Sequence, residues 1–553
     1  QDVEFTVEGG TLYLLQTRNG KRTPRAAVRV AVELVGEGLI ARQDALRRVT
    51  PRQLELLLHR RFAPDPAAKP LARGLAASPG AAVGRAVFSA AEAERRAQAG
   101  EAVVLVRQET SPDDVGGMQA AQGVLTARGG FTSHAAIVAR GMGKPCVAGC
   151  EALAVDVEAR RFSVDGQTVR EGDWVSIDGA SGEVFAGRRA LEDAELDDRV
   201  DTLLGWADAA RKLGVWANAD TPEDARRALA FGAEGIGLCR TEHMFFGAER
   251  LRLFQEAIVG PSPERARALL DRLRTFQQAD VEALLATMDG KPVVVRLLDP
   301  PLHEFLPKGG AELAALAKTL KLAPEALRGR VDALREVNPM LGHRGCRLGL
   351  THPEIYAMQV EAIARAAAAL RRAGRKPRPH IMVPLVGSEA EMAKLKGHID
   401  AVLQREGGQA TDIPVGTMIE VPRACLVADR LARHAAFFSF GTNDLTQLVY
   451  GFSRDDAASF LDAYRQLGAL DGDPFVSLDP DGVGALVRLA VERGRKARPE
   501  MSLGLCGEHG GDAASIALCH RLGLDYVSAS PFRLPLARLA AAQAALDDRV
   551  GQR

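Results

Sequence analysis

Residues 437–444, FFSFGTND, decide the reading of the fold. Three phenylalanines and a serine suit a buried strand, and Gly-Thr-Asn-Asp follows at once with turn-forming and carboxylate-bearing residues. The same rhythm of a short apolar run, a polar end and then helical sequence recurs along the C-terminal part of the chain. Upstream it appears at VWANAD (215–220), GIGLCRTE (235–242), VVVRLLD (293–299), HIMVPLV (380–386) and VGTMIE (415–420); downstream, at SLGLCGE (502–508) and YVSASP (526–531). Eight strand–helix units predict an α/β chain in which residues 213–553 form a (β/α)8 TIM barrel. An open doubly wound sheet has the same alternation. The count of eight favours the barrel, as do the charged residues at successive strand ends, because a barrel gathers those ends at one mouth.

Working outward, residues 74–189 have a different texture. Short β-like runs (AVVLV at 102–106, GVLTA at 123–127, CVAG at 146–149, WVSIDG at 174–179) alternate with Gly- and Asp-rich turns, and one clear helix lies in TSHAAIVARGM, 132–142. This predicts a compact β/α domain. Residues 190–212 read as a helical connector, with acidic residues early and Leu and Val at helical spacing. Residues 24–73 read as connecting helices and a linker marked by Pro64, Pro66 and Pro70. Residues 1–23 read as a β-hairpin around Gly9-Gly10. One hairpin is not stable alone, so it is expected to complete a larger domain, and the initial Gln agrees with a fragment.

Lys plus Arg and Asp plus Glu number 71 each, so there is no global charge to attract nucleic acid or an anionic membrane. The hydrophobic share of 46% is that of a globular protein. Seven scattered cysteines, the nearest pair being Cys146 and Cys150, have no zinc-site spacing and suggest reduced thiols in a cytoplasmic enzyme. No apolar run approaches the roughly 18 residues needed to span a bilayer, and the first residues lack the order of a signal peptide.

Two groups of residues carry chemistry. His134 is expected just inside a helix start, with Thr132 as N-cap and Gly129-Gly130 before it. The partial positive charge there favours a phosphoryl group on the imidazole, which is a competent nucleophile near neutral pH. A lone His in a Gly-rich turn would more often be structural. At the barrel mouth, Arg240 and Arg296 can clamp a phosphoryl group bidentately. Glu420 and Asp444 suit Mg2+, while Asn443 and the backbone at Gly441 and Thr442 can donate hydrogen bonds. Cys506 can act as a proton donor. Singly, each charged group would read as a rim salt bridge and Cys506 as a small buried hydrophobe; their convergence carries the signal.

GGFTSHAAIVARGMGKPCV (129–147) resembles the phosphohistidine signature of the enzymes that use phosphoenolpyruvate (PEP). CRTEHMFF, RLLDPPLHEFLP, NPMLGHRGCRLG, GTMIEVPRA, FFSFGTNDLTQ, GFSRDDA and LCGEHGGD resemble the pyruvate phosphate dikinases within that family. The resemblance implies His134 as the phosphoryl carrier and Arg240, Arg296, Glu420, Asn443, Asp444 and Cys506 as active-site residues. It makes Gly441 and Thr442 substrate contacts and implies a homodimer through the barrel. The opening hairpin resembles the end of an ATP-grasp domain, with Glu4, Gln16 and Arg18 at nucleotide-contacting positions for ATP/AMP. The implied reaction interconverts ATP, phosphate and pyruvate with AMP, diphosphate and PEP, and the fragment is expected to hold only the PEP/pyruvate half. A phosphoenolpyruvate synthase or a sugar-phosphotransferase enzyme is the sister alternative; a non-catalytic remnant is the alternative of another class. AYRQLGALDGDPFVS (463–477) departs from the family pattern and is expected to be a surface loop, and Thr132 matches a regulated position in plant relatives.

Overall fold

The computed structural model describes residues 2–551 apart from 19, 21, 112–113, 131–132, 193–197, 246, 261, 308, 455 and 458–459. The chain divides into two compact units, 1–211 with 538–553, and 212–537.

The second unit is built on eight strands, numbered here from the first of the barrel: β1 (Gly214–Asn218), β2 (Ile236–Arg240), β3 (Pro292–Arg296), β4 (Arg378–Val383), β5 (Val415–Ile419), β6 (Phe437–Phe440), β7 (Ser502–Leu505) and β8 (Tyr526–Ala529). They pair in parallel in chain order, and Gly214–Ala217 of β1 lie beside Tyr526–Ala529 of β8, so the sheet closes. Closure excludes the open sheet. β3 and β5 are buried along their whole length, as expected for strands covered on both faces. Leu238, Val294, Met382, Met418 and Phe437 pack inside with Trp216 and Cys506. The Tyr526 ring stacks on Trp216 at 3.9 Å and lies so close to β7 that a Cβ at Gly504 would come within 2.0 Å of Tyr526 Cζ. Outer helices start where a side chain caps them: Thr221, Ser262, Ser388 and Asp512 each accept from a backbone N–H three residues on. Between β3 and β4 an insertion carries helices Gly310–Leu320 and Pro324–Ala333 around a small core of their own.

In the first unit an eight-stranded sheet has four parallel central strands, Ala81–Val87, Val103–Arg107, Gly123–Thr126 and Cys146–Ala148. It begins at Ala72–Arg73. Helix His134–Met142 covers one face, and its Ala135, Ala136 and Ala139 let it sit close to the strands. Helices Pro24–Gly36, Arg42–Arg48, Pro51–Leu57 and Asp198–Ala210 share a core with Leu539, Ala542 and Leu546 of the last helix. The hairpin Asp2–Glu8/Thr11–Arg18 turns on Gly9 and Gly10 with φ of +56° and +80°, and its Phe5, Val7, Leu12, Leu14 and Leu15 are each more than half exposed.

Two expectations change. Leu191–Glu192 do not begin the connector helix; they form a strand against Arg61–Phe62, where Arg61 Nε meets Glu192 Oε2 at 2.7 Å, and the helix starts at Asp198. A partner distant in sequence outweighs local helix propensity there. The segment expected as a surface loop, 463–477, begins inside helix Leu461–Gln466, and its Phe475 and Leu470 join a small core with Ala457, Leu461, Phe452 and Phe460. Among the described residues no helix is long and apolar enough to cross a membrane.

Candidate active site

His134 is the first residue of its helix. Thr132, the expected cap, lies outside the described residues; the N-cap is Ser133, whose hydroxyl accepts from Ala136 N–H at 3.4 Å. Gly129 turns the chain into this cap with φ +111°, and a Cβ there would stand 2.8 Å from that of Ser133. Thr110, which the sequence reading missed, places its hydroxyl 3.0 Å from His134 Nδ1. That contact holds the ring by the nitrogen nearer the backbone. Replacing Thr110 with valine is expected to slow phosphoryl loading of His134 by up to about tenfold, the value of one lost hydrogen bond, while leaving the thermal midpoint almost unchanged. Rapid-quench measurement of phosphoryl uptake checks this.

At the barrel mouth every predicted residue falls at or just beyond a strand end. Arg240 closes β2 and Arg296 closes β3. Glu420 follows β5, Gly441 through Asp444 follow β6, and Cys506 follows β7. The first expected pair is a network. Arg296, 8% exposed, reaches Asp299 Oδ2 with Nη1 at 3.0 Å and pairs with Glu242 through Nη2. Arg344, from the insertion, forks onto Asp299 at 2.5 and 3.2 Å and reaches Asp444 Oδ2 at 3.3 Å. Burial would raise the Asp299 carboxyl, yet Arg296 and Arg344 outweigh it and hold it below the usual range. Asp299, Glu242 and Arg344 were not singled out from sequence, although all three lie within the quoted motifs.

Glu420 is buried, and Oε1 accepts from Leu385 N–H at 2.6 Å. Leu385 points this N–H inward from a left-handed backbone, φ +61°, a conformation costing about 1–3 kcal/mol for such a residue. Burial, then Asp444 and Asp299, push Glu420 well above the ordinary carboxyl value. The buried Glu420 carboxyl beside the half-buried Asp444 forms a place for a cation, and the pair fits Mg2+, which takes few protein ligands and completes its shell from substrate and water. Among the described residues there is no group of three or more His, Cys, Asp or Glu side chains arranged for a metal. Gly441 is required by close approach: a Cβ would meet Glu420 Oε2 at 2.7 Å.

Cys506 is buried, and burial pushes its thiol up to about 11, with Glu420 acting in the same direction and Ser439, Arg296 and Arg240 opposing. The group is therefore a stored proton rather than a thiolate. Proton delivery from Cys506 is expected to persist as pH rises past the ordinary thiol range and to fail only as pH passes about 11. The alkaline limb of the pH–rate profile for protonation checks this; a limb near 8.5, the unperturbed thiol value, would contradict the upward shift. Asp220, after β1, accepts from Arg240 N–H at 2.5 Å and meets His243 Nδ1 at 2.8 Å, tying β1 to the β2 end.

The family described as PEP-utilising enzyme, PEP-binding domain, matches residues 194–546, well over half of the chain. The chain belongs to the PEP-utilising enzymes. A second description of this family, the PEP-utilising enzyme mobile domain, matches residues 99–182, which include His134. Among curated relatives, pyruvate, phosphate dikinase of Rhizobium meliloti is 52% identical over 99% of this chain and 62% of its own length. The chloroplastic pyruvate, phosphate dikinase 1 of Arabidopsis thaliana is 52% identical over 98% and 57%, and the pyruvate, phosphate dikinase of Clostridium symbiosum is 49% identical over 99% and 64%. This PEP-utilising enzyme thus spans about three fifths of the length of these relatives.

The hairpin residues are also brought together. Glu4 faces Gln16 across the strands, and Arg18 pairs with Glu4 and lies 3.6 Å from Asp2. They are exposed, on an isolated two-stranded sheet.

Proposed function

We propose that this chain carries the PEP/pyruvate half of the pyruvate, phosphate dikinase reaction, in which ATP, pyruvate and phosphate interconvert with AMP, PEP and diphosphate. The convergence of two arginines, two carboxylates and a protonated thiol on one barrel mouth carries the reading. Arg240 and Arg296 hold the phosphoryl group, and Arg344 keeps Asp299 charged so that Arg296 stays in place. Glu420 and Asp444 hold Mg2+, which, when bound, offsets charge on substrate oxygens. Asn443 and the backbone N–H of Thr442 orient the carboxylate end; the Gly441 N–H, expected from sequence to help, donates instead to Ile419 O at 3.0 Å.

In the transfer, Nε2 of His134 forms a bond to phosphorus as the bond from phosphorus to the enol oxygen breaks. The released electron pair makes the enolate of pyruvate, and its methylene carbon takes the proton of Cys506 Sγ. Water must be excluded while this happens, which the burial of Arg296, Glu420 and Cys506 supports. His134 belongs to the mobile domain and moves between the barrel and the nucleotide site on linkers within 24–73 and 190–212. Glu4, Gln16 and Arg18 contact ATP/AMP in the complete nucleotide site. A homodimer through the barrel in the cytoplasm, with neither nucleic-acid nor membrane partner, completes the proposal.

The experiment is incubation with PEP and Mg2+, followed by simultaneous measurement of pyruvate and of acid-labile phosphoryl on the protein. Equimolar pyruvate and label are expected; pyruvate release with no label, or neither product, contradicts the reading.

A further inference from the structure

Three consecutive residues after Cys506 grip the first two residues of helix Thr442–Tyr450, which follows β6. Gly507 lies so close that a Cβ there would stand 2.1 Å from Thr442 Oγ1 and 3.0 Å from Thr442 N. Glu508 N–H donates to Asn443 Oδ1 at 3.0 Å. His509, fully buried, sets Nδ1 2.8 Å from Thr442 Oγ1 and Nε2 2.8 Å from Pro474 O. Pro474 belongs to the segment expected from sequence to be a mere surface loop.

The tautomer follows from these partners. A carbonyl oxygen only accepts, so Nε2 carries the hydrogen and donates to Pro474. In neutral imidazole Nδ1 is then the acceptor, and the Thr442 hydroxyl donates to it. Burial pushes the His509 imidazole below its ordinary value. The Pro474 carbonyl, Asp512 and Glu508 oppose that shift, and Arg454 adds to it. The direction favours the neutral ring at the usual histidine value near 6.5 and above it. A protonated ring would donate from Nδ1 to Thr442 Oγ1, reversing the bond and releasing the hydroxyl hydrogen that the neutral ring holds.

We propose that His509 is a positioning residue for the phosphoryl-transfer reaction proposed above. As a neutral ring it clamps Thr442 and, with the Glu508–Asn443 bond, holds the segment after Cys506 in register with the start of helix Thr442–Tyr450. The clamp commits the Thr442 hydroxyl hydrogen away from substrate, leaving its backbone N–H to donate. The bond to Asn443 Oδ1 orients that amide so that its NH2 points away from Glu508, as a donor for the carboxylate or phosphate. Proton donor and carboxylate-orienting residues are thereby fixed as one body. The inference rests on the proposed half-reaction for its kinetic consequence, but the hydrogen bonding can be tested without it.

Two variants separate a clamp from simple packing. His509→Asn retains an acceptor near the Nδ1 position and loses the bond to Pro474; His509→Gln retains a donor near Nε2 and loses the acceptor for Thr442. The rate constant for phosphoryl transfer from PEP is expected to fall about tenfold or more in His509→Gln, the value of one hydrogen bond, with the PEP concentration at half-saturation little changed. His509→Asn is expected to lose clearly less. Equal losses, or a greater loss in His509→Asn, would overturn the proposal even if both variants are destabilised alike. In parallel, nitrogen NMR of the histidine-labelled wild-type chain is expected to show the Nε2–H tautomer at pH 7. An Nδ1–H tautomer or an imidazolium there would overturn it by itself. Failure of the wild type to take phosphoryl from PEP would instead count against the half-reaction, and the NMR result would still decide the clamp.

Discussion

The His134→Ala variant is expected to fold normally and to take up no phosphoryl group from PEP. Alanine is the best helix former, and position 134 is only partly buried at a helix end capped by Ser133, so the exchange removes few contacts. What disappears is the nucleophile, and no weaker version of it remains. The loss is therefore total rather than graded, unlike the loss expected from Thr110→Val, which leaves the imidazole present but less well held. Filter retention of phosphorus-labelled protein at neutral to alkaline pH, beside a thermal melt, checks both halves of the expectation. Residual stoichiometric label on a folded His134→Ala chain would place the carrier elsewhere.

Arg296→Met should have the second largest effect, and on two quantities. Arg296 lies between Glu242 and Asp299, each almost wholly buried. Removing one partner of a buried ion network leaves uncompensated charge and costs about 3–5 kcal/mol. Transfer from PEP should fall by about 100-fold to 1,000-fold, as when one preorganised donor to a developing charge is removed. Arg296→Lys keeps the charge, and a single ammonium cannot reproduce the planar fork that meets two carboxylates. It should recover part of the stability and little of the rate. Denaturant unfolding and rapid-quench kinetics on the two variants separate these effects. Unchanged transfer in folded Arg296→Met would remove this residue from the phosphoryl clamp.

The barrel was legible because its strands are covered on both faces. PVVVR and VGTMI are apolar runs of strand length, and the residue type changes abruptly where each strand reaches the mouth. The order of site residues followed from the same feature, since Arg240, Arg296, Glu420, Asp444 and Cys506 mark those changes. Asp299, Glu242 and Arg344 were harder to see because their role lies in pairing across loops distant in sequence, which no local period encodes. The same holds for Leu191–Glu192, whose strand character comes from Arg61–Phe62. At the start of the His134 helix two adjacent hydroxyl residues both match a cap pattern, and only the backbone at Ser133, φ −60° and ψ 155°, identifies the cap. His509 stood inside a quoted motif, yet its partners, Thr442 and Pro474, come from two other segments.

In the function proposed above, this chain moves the phosphoryl group of PEP onto one nitrogen of His134. The most direct test is a short incubation with PEP and Mg2+, digestion at alkaline pH and mass-spectrometric mapping of the phosphorylated peptide. Phosphate is expected on the peptide containing His134, bonded at Nε2, in an amount equal to the pyruvate formed. Phosphate on a different residue, or pyruvate formed without any phosphorylated peptide, would contradict it.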